Sequence, residues 1–171
     1  MIAEALWFFL PAYVANQFPG FGAWLNVPLQ KPISRRWLGE NKTVAAYYMC
    51  PIGGVLTFLF QQWATEWNVA YGWYVSSSVW ESVGIGMLFG LGAVAGDSAK
   101  SFVKRRLGKK PGQVWWPFDQ TDFVFGALLL TYPIAGWRGG ETYAIIFAVA
   151  IIGHPFWNAL GYWLGIRKKW L

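Results

Sequence analysis

Three carboxylates and six cations fall between residues 97 and 123: Asp97, Asp119 and Asp122 among Lys100, Lys104, Arg105, Arg106, Lys109 and Lys110. Carboxylate oxygens suit Mg²⁺, which takes one or two of them and completes its shell with phosphate oxygens and water. Arg grips phosphate oxygens two at a time, and Lys acts on them as a point charge. The combination points to a metal-assisted site for a phosphorylated ligand, with Asp97, Asp122 and Asp119 as candidate metal ligands. Gly108 and Pro111-Gly112 interrupt the cations, which suits a loop folded round a triphosphate. If a helix runs through Asp97, then Asp97, Ser101 and Lys104 share one stripe, and Lys100 and Lys104 form an i, i+4 pair beside it.

Each group also has a plain structural use. Asp97 can be a headgroup-level acid paired with Lys100 or Lys104. Asp119 can cap a helix that follows Pro117, with Asp122 near its positive end. The cations can be a positive-inside anchor.

The elements that must position these residues lie in a membrane. Apolar residues make up 56% of the 171, charged residues 13%, and the mean hydropathy is +0.32. Five apolar stretches predict five transmembrane helices, at about 2–18, 44–61, 79–96, 122–137 and 142–164. Two substantial loops, about 19–43 and 97–121, remain. Pro19-Gly20, Pro28 and Pro32 break the first, leaving one short helical turn at 34–39. Pro11 and Pro155 predict kinks in the first and fifth spans. The opening Met-Ile-Ala-Glu lacks a cationic leader, so the first stretch reads as a retained helix. The 13 Trp and 8 Tyr suit interfacial belts.

Of the 14 Lys and Arg, all but Arg138 fall in 31–42, 100–110 and 167–169. With five spans those segments share one face. Cytoplasmic loops favour Lys and Arg, so the N-terminus is expected outside and the C-terminus in the cytosol. Glu4, Glu66, Glu81 and Glu141 fall at or near the opposite face. The third span carries Gly86/Gly90 and Gly92/Gly96, small-residue steps that serve either close helix packing or a ligand groove.

Several classes are excluded. The chain has no phosphate-loop motif, no Cys/His metal pattern and no internal repeat of the transporter kind. Cys50 is the only cysteine, so no intrachain disulfide forms. His154 stands alone in the fifth span, where it reads as a packing or hydrogen-bonding residue. The net charge of +6 sits against the membrane, favouring anionic headgroups and nucleotides over nucleic acid.

The strings GDSAKSFVKRR, KKPG and PFDQTDFVFGA, with Asn41-Lys42-Thr43 ahead of the second span, resemble the cytosolic signature of the archaeal CDP-archaeol synthases. The Asp-Gln-x-Asp step is similar to the D-R-x-D end of the phosphatidate cytidylyltransferase signature, whose Lys-Arg pair Lys104-Arg105 matches. Trp115-Trp116-Pro117 stands where that broader pattern has His-Gly-Gly, which favours the archaeal branch.

The resemblance implies a Mg²⁺-dependent transfer of CMP from CTP to 2,3-bis-O-geranylgeranyl-sn-glycerol 1-phosphate, releasing pyrophosphate. It implies a multi-pass protein of the cell membrane with its site facing the cytosol. A phosphate monoester has a second pKa of about 6, so the lipid nucleophile is largely ionised at neutral pH and needs no general base. Asp97 and Asp122, with Asp119, are then expected at the metal. Ser98, Ser101, Lys104, Arg105 and Lys109 are expected at the CTP phosphates, and Lys42, Arg35 and Arg36 at the lipid phosphate. Glycine-rich span three is the expected wall of an isoprenoid groove. Rival readings are the same chemistry on a diacyl lipid, a non-enzymatic basic scaffold, and a carrier, which the scarcity of mid-span ionisable residues disfavours.

Overall fold

The computed structural model describes residues 1–67, 73–74, 76–110 and 113–165, apart from the side chains of His154, Trp157 and Asn158. The Arg167–Lys169 cluster, the Pro111-Gly112 step and the His154 side chain therefore lie outside the described residues. Among the described residues five helices and no strand occur: α1 (Ile2–Trp24), α2 (Val44–Glu66), α3 (Val79–Arg106), α4 (Phe118–Ala135) and α5 (Gly140–Trp163). Each contributes a fully buried side chain to the core: Phe9, Phe58, Phe89, Val124 and Ile146. α3 is the central element, packed most extensively on α4 and α2 and also touching α1.

Glycine sets that central packing. A Cβ on Gly90 would lie 2.5 Å from Pro51 Cα of α2, and one on Gly92 would lie 2.6 Å from Ala127 Cα of α4. Real side chains do not tolerate such distances against backbone. Both small-residue steps of α3 are thus used for helix packing, Gly86/Gly90 toward α2 and Gly92/Gly96 toward α4.

Several helices run further than the apolar stretches predict: α2 reaches Glu66 instead of about 61, α4 starts at Phe118 instead of about 122, and the longest extensions are at the ends of α1 and α3. α1 continues through Pro19 to Trp24 instead of breaking there. A proline inside a helix forfeits a single backbone hydrogen bond, and the extra turns pack, since a Cβ on Gly22 would lie 3.0 Å from the Met49 side chain. α3 begins with Ser78 Oγ accepting the Glu81 N–H and continues to Arg106, ten residues past the apolar stretch. No glycine or proline interrupts 97–106, and Lys104, Arg105 and Arg106 complement the negative end of the helix. Gly108, at φ +71°, follows its end.

The loop between α1 and α2 is tied back on itself by a bridge between Pro32 and Thr43, with Ile33 N–H donating to Lys42 O at 2.9 Å. One turn forms within it, where Leu38 N–H donates to Ser34 O at 3.0 Å. At the other end of the bundle Arg138 lies over the rings of Phe8 and Trp73, 5.3 and 5.0 Å from their centroids.

Candidate active site

The extension of α3 places Asp97, Lys100, Ser101 and Lys104 along one wall of a cavity of about 440 Å³, within the about 300–1,000 Å³ usual for small-ligand sites. The start of α4 supplies Asp119, Gln120 and Asp122. The end of the first loop supplies residues 38–42, and α1 closes the basin with Asn16, Pro19 and Gly20. Close packing of α3 on α4 is what brings the three aspartates, distant in sequence, to one place.

The charges interlock. Lys100 Nζ lies 2.8 Å from Asp122 Oδ2, 2.9 Å from Asp119 Oδ1 and 3.5 Å from Asp97 Oδ1. Lys42 reaches across from the first loop to pair with Asp97 Oδ2. Lys104, one turn beyond Lys100, donates to both oxygens of Asp119 at 2.9 and 3.0 Å and to the Gln113 carbonyl at 2.5 Å. Lys104 is only 6% exposed and Asp122 8%, so neither charge stands without a partner.

Asp119 is not the cap of α4, whose N-cap position is Pro117. Its carboxylate instead accepts the Trp115 N–H at 2.6 Å together with the two lysines. Burial raises its pKa, but the hydrogen bonds from Lys100 and Lys104 outweigh that and hold it below the ordinary aspartate value.

The other expected residues divide. Arg105 lines the basin, donates to the Lys109 carbonyl, and keeps a buried Nε with no hydrogen-bond partner among the described residues. Ser101 lines the basin, whereas Ser98 accepts a hydrogen bond from Tyr47 at 2.7 Å. Lys109 leans over the Trp115 ring, 5.6 Å from its centroid, and is not part of the lining. Arg35 and Arg36, expected beside Lys42 at the lipid phosphate, are exposed and do not line the basin. Arg35 is 3.8 Å from Glu40, and Arg36 lies 5.4 Å from the Trp37 ring centroid. Both fall within the helical turn at Ser34–Leu38, whereas Lys42 sits beside the Pro32–Thr43 bridge and lines the basin.

Lys100, which the sequence offered only as an ion-pair or helix-face partner, and Gln120, which it did not offer, also belong to the basin. Gln120 is buried on the basin wall, its Oε1 without a hydrogen-bond partner among the described residues. The signal for Lys100 was its spacing, three residues after Asp97 and four before Lys104.

The donor set suits Mg²⁺. Asp122 Oδ2 is buried in ion-pair contact with Lys100 but outside hydrogen-bonding geometry, which leaves lone-pair capacity for a cation. Among the described residues no three acids by themselves cage an ion. A metal here would complete its shell with ligand oxygens and water.

Two apolar grooves adjoin the basin. One, of about 340 Å³ between α1 and α5, is lined by Leu10, Tyr13, Val14, Phe18 and Leu160 and shares Gly20 with it. The other, of about 330 Å³ between α3 and α4, is lined by Gly96, Phe125 and Leu129 and shares Lys100 and Asp122.

The family model described as CarS-like, CDP-archaeol synthase, matches residues 1–171. The chain belongs to the CDP-archaeol synthase family. It is 35% identical over 168 residues to the CDP-archaeol synthase of Methanoregula boonei, covering 94% of this chain and 98% of that one. The Methanopyrus kandleri member of the family is 33% identical, covering 98% of this chain and 92% of its own. The Methanocaldococcus jannaschii member is 32% identical, covering 99% and 97%. The fold is similar to that of a solved intramembrane enzyme for archaeal membrane lipids biosynthesis, with a TM-score of 0.71, 26% identity, and 92% and 94% of the two chains covered. α2 and α3 are both long and apolar enough to cross a bilayer. The chain is a membrane protein that is all-helical among the described residues.

Proposed function

We propose that the protein transfers CMP from CTP to 2,3-bis-O-geranylgeranyl-sn-glycerol 1-phosphate, releasing pyrophosphate, in a Mg²⁺-dependent reaction at the cytosolic face of a five-span membrane protein with its N-terminus outside. The observation that carries this reading is a single basin in which Lys42, Lys100, Lys104 and Arg105 meet Asp97, Asp119 and Asp122, with apolar grooves adjoining it on two sides. One substrate of such a reaction is water-soluble and the other stays in the bilayer, so their meeting point belongs at headgroup level. The cation-rich ends of α3 and of the first loop lie together, with Arg138 at the other end of the bundle, which supports the cytosolic assignment.

In this reading a lipid phosphate oxygen attacks the α-phosphorus of CTP, and the bond from that phosphorus to the bridging oxygen breaks in line. The incoming monoester is already largely ionised, so no side chain has to remove a proton. Asp97 and Asp122, with Asp119, would hold Mg²⁺, which supplies charge neutralisation on the attacking and leaving oxygens. Lys104 and Arg105 hold the triphosphate, with the orphaned Arg105 Nε offering a donor. Ser101 adds a hydroxyl at the same wall, and Lys42 is placed for the lipid phosphate. The α3–α4 groove beside Gly96 and the α1–α5 groove are the paths for the isoprenoid chains.

The test uses purified protein in detergent, CTP labelled at the α-phosphate, and either the geranylgeranyl ether phosphate or a diacyl phosphatidic acid. Label in the ether lipid fraction, lost on chelating Mg²⁺, is expected. Equal or preferential labelling of the diacyl lipid would reassign the substrate, and no label on either lipid would leave the basin without this function.

A further inference from the structure

The ammonium of Lys100 is the one point at which all three aspartates meet. It contacts Asp97 from its own helix and Asp119 and Asp122 from α4, at 2.8 to 3.5 Å. Its side chain is 14% exposed, and it borders the basin. The neighbouring lysines are committed elsewhere as well, Lys42 to Asp97 across the first loop and Lys104 to the Gln113 carbonyl. Three lysines therefore face three aspartates before any ligand arrives.

That balance has an electrostatic consequence. A divalent cation entering alone adds two positive charges to a cluster whose lysines already match its aspartates in number, and it must displace an ammonium that then has no partner. A metal arriving with a triphosphate brings a net negative ligand, which offers the displaced ammonium new oxygens. Lys carries its charge on a flexible four-carbon stem, so a rotamer change moves it into the adjoining basin without moving the helix. Metal and nucleotide then favour each other's binding, and the coupling is reciprocal.

We propose that Lys100 is a positioning residue that holds the metal's place among Asp97, Asp119 and Asp122 until a nucleotide-bound divalent cation displaces it onto the triphosphate. This rests on the cytidylyltransferase reading of the same basin. It explains why a site with three acids contains no ready-made cage: its centre is filled by a side chain that belongs to the chain itself.

The experiment measures Mn²⁺ binding to the full chain in detergent by paramagnetic resonance, with Mn²⁺ alone and with Mn²⁺ precomplexed to CTP. The wild-type protein is expected to bind the complex at least about tenfold more tightly than Mn²⁺ alone, a coupling within the usual allosteric range. Lys100→Met is expected to bind Mn²⁺ alone about fivefold more tightly than wild type while binding the complex more weakly. A purely structural lysine would not produce changes of opposite sign. Unchanged or weaker binding of free Mn²⁺ by Lys100→Met overturns the proposal, and Lys100→Gln repeats the test if the methionine variant does not fold. Wild-type protein that binds free Mn²⁺ as tightly as the complex overturns it without any variant. Failure of the underlying reading looks different, because the wild-type protein would then not label the lipid at all.

Discussion

The first loop and the extension of α3 each bring basic residues to the same end of the molecule, and the two use them in opposite ways. On α3, Lys100 and Lys104 are held inward by helical spacing, each bonded to Asp119. In the loop, Arg35 and Arg36 turn toward Glu40 and Trp37, and only Lys42 reaches the basin. The difference is geometric. A helix fixes the direction of each side chain from its position in sequence, whereas a loop does so only after its own bridges and turns are known. A cation cluster is therefore worth reading as a site when it lies on a helix facing acids, and as an anchor otherwise.

The sharpest test of that contrast is Asp97→Asn on the helix. Its turnover is expected to fall more than about tenfold with the protein still folded, in line with a weaker hold on the Mg²⁺ that would neutralise charge on the attacking and leaving oxygens. Normal Mg²⁺-dependent labelling of the lipid by this variant would remove Asp97 from the metal site. Lys104→Met should raise the apparent KM for CTP by about tenfold and that for the lipid much less, because a charge-assisted contact to phosphate is lost. It also leaves Asp119 without one of its two ammonium partners, so a lower melting temperature is expected alongside the kinetic change.

Gly92→Ala asks whether the helical half of the comparison depends on the closeness of α3 and α4. Its Cβ would meet Ala127 Cα at 2.6 Å, so the helices must part and carry Asp97 away from Asp119 and Asp122. Melting temperature and lipid labelling should fall together; a variant with full activity would mean the acids need not be held so tightly.

A smaller effect comes from pH. The folded pKa of Asp119 lies below its ordinary value, so its ionisation stabilises the fold above about pH 3.9. That contribution is lost as pH falls from there through the lower folded value. Asp119→Asn should flatten this acid limb of a melting-temperature profile, and an identical limb in the variant would show that other groups set it. Smallest of all, Arg35→Ala and Arg36→Ala should change turnover and lipid KM by less than about twofold, as exposed charges do. A tenfold rise in lipid KM would return the loop arginines to the site.

Much of the architecture was legible in the chain because a bilayer imposes strong constraints. Long apolar stretches and segregated cations pointed to five helices with one charged end, and α2 begins at Val44 as its apolar pattern suggests. The end of α1 was not legible: Pro19 reads locally as a breaker, and only its packing near α2 keeps the helix going to Trp24. The stripe of Asp97, Ser101 and Lys104 could be read from spacing alone, and all three line the basin. The glycine steps of α3 could be counted from the sequence, but whether they face a helix or a ligand required knowing what lies opposite them.

Residue type and order along the chain specify the chemical inventory: the acids, the cations, the helix-forming stretches and the motifs that carry the family. Those depend on residue type and on spacing within one element. Which charges meet depends on how the helices pack. Asp97 and Asp122 are 25 positions apart, and they face one lysine because glycine lets α3 and α4 approach backbone to backbone. Lys42 joins them, while Arg35 and Arg36 do not, because a bridge and a turn in the first loop point them differently. Coulomb interactions act over a few ångströms, so these distances in space, which spacing along the chain does not specify, determine the site.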